Sequence, residues 1–128
     1  GLPSLPEVSW ADDPVDLADE YARAGAAIVP IRAGGGTRIK ALEAFAHQTP
    51  VVSTTLGVEG LAVTTGQDVL VGDSADALAA HAATLMRRPE VGQALAARAW
   101  SLVQRAYTPA VLRARLTAAL ADLPEARP

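Results

Sequence analysis

The residues best suited to chemistry lie in one short run, Arg32-Ala33-Gly34-Gly35-Gly36-Thr37-Arg38-Ile39-Lys40, with Glu43 just beyond it. Glycines without Cβ atoms let a backbone take positive φ and come close to a ligand. A helix starting after such a loop presents unpaired N–H groups and a partial positive charge, which together favour an anion, commonly a phosphate. Arg38 and Lys40 add formal charge, and a cation beside a diphosphate stabilises the charge that develops as it leaves. Glu43 stands about one helical turn beyond Ile39. From there a carboxylate can accept hydrogen bonds from two vicinal hydroxyls, as on a ribose. The run does not fit G-x-G-x-x-G, because Ile39 stands where the last glycine belongs counting from Gly34, nor does it fit G-x-x-x-x-G-K-[ST]. Three glycines alone also suit an ordinary strand-to-helix turn.

The flanking residues predict the elements that hold this run. Ala26 to Pro30 is a short apolar segment suited to a strand buried on both faces. Ile39, Leu42, Ala44 and Phe45 recur at helical spacing, and Pro50 closes that segment. Val51 to Thr54 and Val69 to Val71 are further buried strands, with Leu61 to Val63 a shorter candidate and Val8 to Trp10 an early one. Val15 to Ala24 reads as a helix with Gly25 as its C-cap. Asp73 or Ser74 caps a helix to about Arg88, with Leu78, Ala82 and Leu85 as its apolar stripe. Pro89 starts the next helix, whose face carries Val91, Leu95, Leu102 and Ala106. Thr108-Pro109 starts a last helix to Leu123, with Val111, Leu112, Leu116 and Leu120 apolar. Strands alternating with helices across short connections predict an α/β fold, a Rossmann-like parallel sheet flanked by helices. Ligands of such sheets bind at the carboxyl ends of the strands. The glycine run falls there.

Composition excludes several classes. The chain has 128 residues, enough for one domain with its own core and no disulfide or metal. A net charge of −3 excludes a generic basic nucleic-acid binder, and no apolar run approaches the ~20 residues of a membrane span. There is no cysteine, so nothing points to a secreted disulfide scaffold. Lys40 is the only lysine among the 11 basic residues, a bias that with abundant alanine suits a GC-rich bacterial genome.

The stretch Val29-Pro-Ile-Arg-Ala-Gly-Gly-Gly-Thr-Arg-Ile-Lys-Ala-Leu-Glu-Ala-Phe-Ala, followed by Thr49-Pro-Val-Val-Ser-Thr-Thr-Leu-Gly-Val-Glu-Gly-Leu61, resembles the donor-binding part of group 1, family 4-type retaining glycosyltransferases. The similarity runs from about Leu5 to Tyr107. It implies a partial C-terminal domain of the two-domain GT-B fold, a single unit over residues 1–128 that binds a nucleotide-diphosphate sugar. The full enzyme would transfer that sugar to an acceptor hydroxyl with retention and without a tightly bound metal or cofactor. Glu43 matches the second carboxylate of the family's E-x7-E motif, which holds the ribose. The first falls on Gly35, so this sequence departs from the fuller motif where relatives contact the sugar. The amides around Thr37 to Lys40 match the diphosphate cradle. Gly57, Glu59 and Gly60 match a loop facing the donor cleft. The resemblance also implies an N-terminal acceptor domain and a further basic strand-loop unit outside the chain, and the start at Gly1 reads as a cut. The piece alone would be catalytically silent, with self-association through the last helix as one consequence. No catalytic base is assigned. The acidic balance fits a cytoplasmic protein, peripheral at the membrane in its full-length form.

Each of these residues also has a plainer reading. Arg38 and Lys40 can serve in structural ion pairs, Arg32 as a surface charge, and Glu43 or Glu59 as a solvated carboxylate. His47 and His81 read as solvated, without the spacing of a zinc site. Trp10 and Trp100 read as packing residues, and Asp12, Asp13 and Asp16 as an acidic helix start. Two other functions remain open: a different α/β nucleotide- or phosphate-binding domain, and a non-catalytic interaction domain with a vestigial loop.

Overall fold

A computed structural model describes residues 6–9 and 16–122. Trp10, Asp12, Asp13 and Leu123 lie outside the described residues. The elements in chain order are α1 (Leu17–Arg23), β1 (Ala27–Val29), α2 (Ile39–Ala46), β2 (Val51–Ser53), a 3-10 turn (Leu56–Val58), β3 (Leu70–Val71), α3 (Ala75–Arg87), α4 (Pro89–Ala106) and α5 (Pro109–Ala121). The three strands form one parallel sheet in the order β1-β2-β3. Ala27, Ile28 and Val29 pair with Val51, Val52 and Ser53, and the last two of these with Leu70 and Val71. The protein is therefore α/β, an open parallel sheet flanked by helices, consistent with part of a Rossmann-like domain.

Side-chain alternation along β2 divides the core. Val51 packs with Ala41, Ala44 and Phe45 of α2, whose small residues let the helix lie close to the sheet. Val52 points the other way, into a cluster with Leu78 and Leu85 of α3 and Leu95 of α4. Helix α4 serves both clusters, because Ala99 joins the first. Phe45, Val51, Val52 and Val69 are wholly buried. Such side chains each contribute roughly 1.5–3 kcal/mol.

Caps explain most helix limits. Ser74 and Thr108 accept from Ala77 and Val111, and Asp16 accepts from Ala18, fitting its reading as a helix start. Helix α2 ends in paired turns, Gln48 N–H to Phe45 O and Thr49 N–H to Ala44 O, with Gln48 at φ 54° where glycine is usual.

Several expectations need correction. β1 is not buried on both faces. Ile28 shares the face of Val52, but α3 covers only the latter, and Ile28 stays 51% exposed. Among the described residues β1 pairs only with β2, so its outer edge is open. Val8 and Ser9 are irregular, and Leu61–Val63 forms no strand. Val69 precedes β3 and makes only an isolated bridge to Thr65. The first helix stops at Ala24, which is extended (ψ 130°), so Gly25 is not its cap. His81 is half-buried with Nε2 3.1 Å from the Val71 carbonyl, and so is not simply solvated. His47 is exposed, as expected, and stacks on Tyr21 with ring centroids 4.9 Å apart. Trp100 is half-buried, in keeping with packing. On α5 the apolar residues do not gather into a buried face: none of its residues is buried, and Leu112, Leu116 and Leu120 are all exposed.

Asp73 ties the carboxyl end of β3 to the turn after β2. Its carboxylate accepts from the Thr55 amide and hydroxyl, both at 2.7 Å. The amide bond first, then the hydroxyl, holds the Asp73 carboxyl below the usual carboxylate range. A depressed folded pKa contributes stability above the unfolded value of about 3.9, and that contribution is lost as pH falls through the folded value. Asp73→Asn should therefore flatten the acid limb of stability below about pH 4 and leave its slope near neutrality unchanged. Urea unfolding across pH 2.5–7 checks this; an unchanged acid limb would refute the tie.

Candidate functional site

The groove forms where β1 ends. Val29, Ile31, Ala33, Gly34, Gly35, Thr37, Arg38, Ile39, Lys40 and Gly57 line an open cleft of about 380 Å³. Gly34 and Gly36 take φ of 117° and 100°, which turns the chain from β1 into α2. The start of α2 has no side-chain cap and no acidic residue in its first turn. Among the described residues the amides of Ile39, Lys40 and Ala41 find no acceptor; the first amide of the helix with one is Leu42, bonded to the Arg38 carbonyl. The starts of α1, α3 and α5 carry their own caps, and that of α4 carries Pro89 and Glu90. The positive end of α2, with the unbonded amides of Ile39 and Lys40, and the Lys40 side chain thus border one glycine-lined groove. Lys40 is exposed and makes no ion pair among the described residues.

Arg38 behaves differently. Its side chain is only 6% exposed, and Nη2 donates to Glu59 Oε2 at 2.9 Å. Its Nε is buried without a partner. The pair draws the α2 start to the residue after the 3-10 turn, and joins two residues that the sequence marked separately. A second cleft of about 450 Å³ lies beyond it, lined by Gly36, Thr37, Arg38, Leu42, Glu59, Gly60, Leu61 and Tyr107. Arg38 and Thr37 wall both clefts.

Glu43 lines neither cleft. It is half-buried on α2, and its carboxylate accepts no hydrogen bond among the described residues. Burial first, then the negative charge of Glu43, pushes the Tyr21 phenol above its ordinary pKa, which sets Glu43 on the side of α2 near α1. Arg32 is exposed. Gly57 is buried and lines the first groove, yet its place also follows from packing. A Cβ there would stand 2.3 Å from Ser53 Oγ and 2.8 Å from the Val29 carbonyl. Tyr107, whose hydroxyl accepts from the Ala62 amide at 2.8 Å, was not marked as a site residue. It falls at the end of α4, where only the fold brings it to the loop. No cluster of three or more His, Asp or Glu residues able to hold a metal occurs among the described residues. No described helix is long and apolar enough to cross a membrane.

Fold and groove together define an α/β protein with a glycine-lined cleft at the carboxyl end of a parallel sheet. The family model for glycosyl transferases of group 1 matches residues 4–88, and the chain belongs to that family. No curated protein matches it.

Proposed function

We propose that the chain is the donor-binding part of the C-terminal domain of a GT-B glycosyltransferase that acts with retention. A nucleotide-diphosphate sugar is its ligand, and a second domain supplies the acceptor hydroxyl. The observation that carries this reading is the uncapped start of α2, with the amides of Ile39, Lys40 and Ala41 free beside Gly34, Gly35 and Lys40. The diphosphate sits there, held by amides and by Lys40. Glu43 lies outside the lining of both clefts, one helical turn along α2 from Ile39, and the family motif that it matches assigns it the ribose hydroxyls. Gly35, in place of a carboxylate, makes no side-chain contact to the sugar, so the backbone and the second domain select it.

Calorimetric titration with UDP, GDP, ADP, TDP, NAD and inorganic pyrophosphate tests this. One nucleoside diphosphate should bind more tightly than pyrophosphate. Glu43→Ala should remove most of that difference, about tenfold for one hydrogen bond to a carboxylate at the low end of its range, and leave pyrophosphate unaffected. Equal binding of the nucleotide by Glu43→Ala would sink the ribose assignment. Preference for NAD would favour another nucleotide-binding function, and no affinity for any of these ligands would refute donor binding by this chain.

A further inference from the structure

We infer that Arg38 and Glu59 form a positioning clamp for the anion site, and that the hydrogen bond of the pair matters there more than its charge. This rests on the diphosphate reading above. Two observations carry it. Arg38 precedes the first residue of α2 and takes no regular helical conformation (φ −81°, ψ 55°), so where its side chain is anchored sets where the first helical amides point. That anchor is Glu59, 21 positions later in sequence, at 2.9 Å. The guanidinium is almost wholly buried and its Nε already lacks a partner. Without Glu59 the buried cation would lose its carboxylate and be drawn toward solvent, carrying the helix start with it.

The clamp also divides the work between the two cations. Arg38 is neutralised by Glu59, and Lys40 is left as the unpaired cation on the groove. Simple electrostatics opposes the clamp in sign. Glu59 is a negative charge near an anion site, so its removal should by charge alone strengthen anion binding.

The two effects separate with two substitutions. Glu59→Gln keeps an oxygen that can accept from Arg38 Nη2 and removes the charge. Glu59→Ala removes both. The clamp predicts that Glu59→Ala weakens binding of pyrophosphate and of the preferred nucleoside diphosphate by about fivefold, the net worth of one hydrogen bond, whereas Glu59→Gln binds at least as well as the parent chain. Amide exchange followed by NMR gives a readout that needs no ligand. The amide of Leu42, which donates to the Arg38 carbonyl at 3.2 Å, should exchange several-fold faster in Glu59→Ala and at the parent rate in Glu59→Gln. Glu59→Ala leaves the buried guanidinium without its carboxylate and should lower the urea midpoint, whereas Glu59→Gln, which keeps an acceptor for Arg38, should stay close to the parent. If both substitutions raise affinity alike, Glu59 is only a competing charge and the clamp is refuted. Unchanged amide exchange in Glu59→Ala refutes it equally. If the parent chain binds none of the anions, the donor reading fails, and the exchange rates alone decide the clamp.

Discussion

Gly57→Ala should destabilise the protein by about 3 kcal/mol and lower Tm by roughly 10 °C. The added methyl meets Ser53 Oγ at 2.3 Å and the Val29 carbonyl at 2.8 Å. The hydroxyl can swing away only by giving up its bonds to the Val29 and Thr54 carbonyls, and it is fully buried. The carbonyl is main chain in β1 and accepts from the Thr54 amide at 3.2 Å, so relief there strains the sheet itself. The cost therefore belongs at the upper end of the range for overpacking. Gly60→Ala is the control. Its Cβ would meet nothing within 4 Å, and the cost is confined to placing alanine at φ 79°, about 1 kcal/mol. Thermal or urea unfolding of the pair decides the matter. Equal effects would mean that Gly57 is needed for some reason other than the close approach of the turn to β1.

Lys40→Glu is expected to have the largest effect on binding. It replaces the unpaired cation on the groove with a like charge to the ligand, and affinity for pyrophosphate or a nucleoside diphosphate should fall at least about tenfold. The salt dependence of binding should fall with it. Stability should move the other way. A glutamate in the first turn of α2 interacts favourably with the helix dipole, by about 0.3–1 kcal/mol, and Lys40 gives up no ion pair among the described residues. A variant more stable than its parent and weaker in binding cannot be explained as a folding defect. Undiminished affinity would show that the diphosphate does not sit at the start of α2.

The helices were legible in the sequence because their limits are written locally. Ser74, Thr108-Pro109 and Pro89 each act on residues within one turn, and the structure uses all three as caps or first residues. The strands were legible as apolar runs, but their exposure was not. Ala27-Ile28-Val29 looks like a central strand, and only the placement of α3 over Val52 leaves Ile28 half open. The glycine loop was legible by residue type, and the free amides at the start of α2 follow from the absence of Ser, Thr, Asp or Asn at position 38. The Arg38–Glu59 pair was not, since no periodicity links residues 21 apart across a helix, a strand and a turn. Gly57 was marked as a cleft residue, whereas the need for glycine there arises from Ser53 and Val29, which the sequence alone does not bring together.

The outer edge of β1 bears on how the protein behaves in crowded solution. An open parallel edge of apolar residues is a template on which strands of other molecules can stack. Here that template is three residues long and stops at Pro30, which has no N–H to offer an incoming strand. An added strand would find about one turn of ladder and then nothing to bond. Among the described residues Pro30 thus bounds how far an added strand can pair along β1, and the net charge of −3 adds repulsion between copies of the chain.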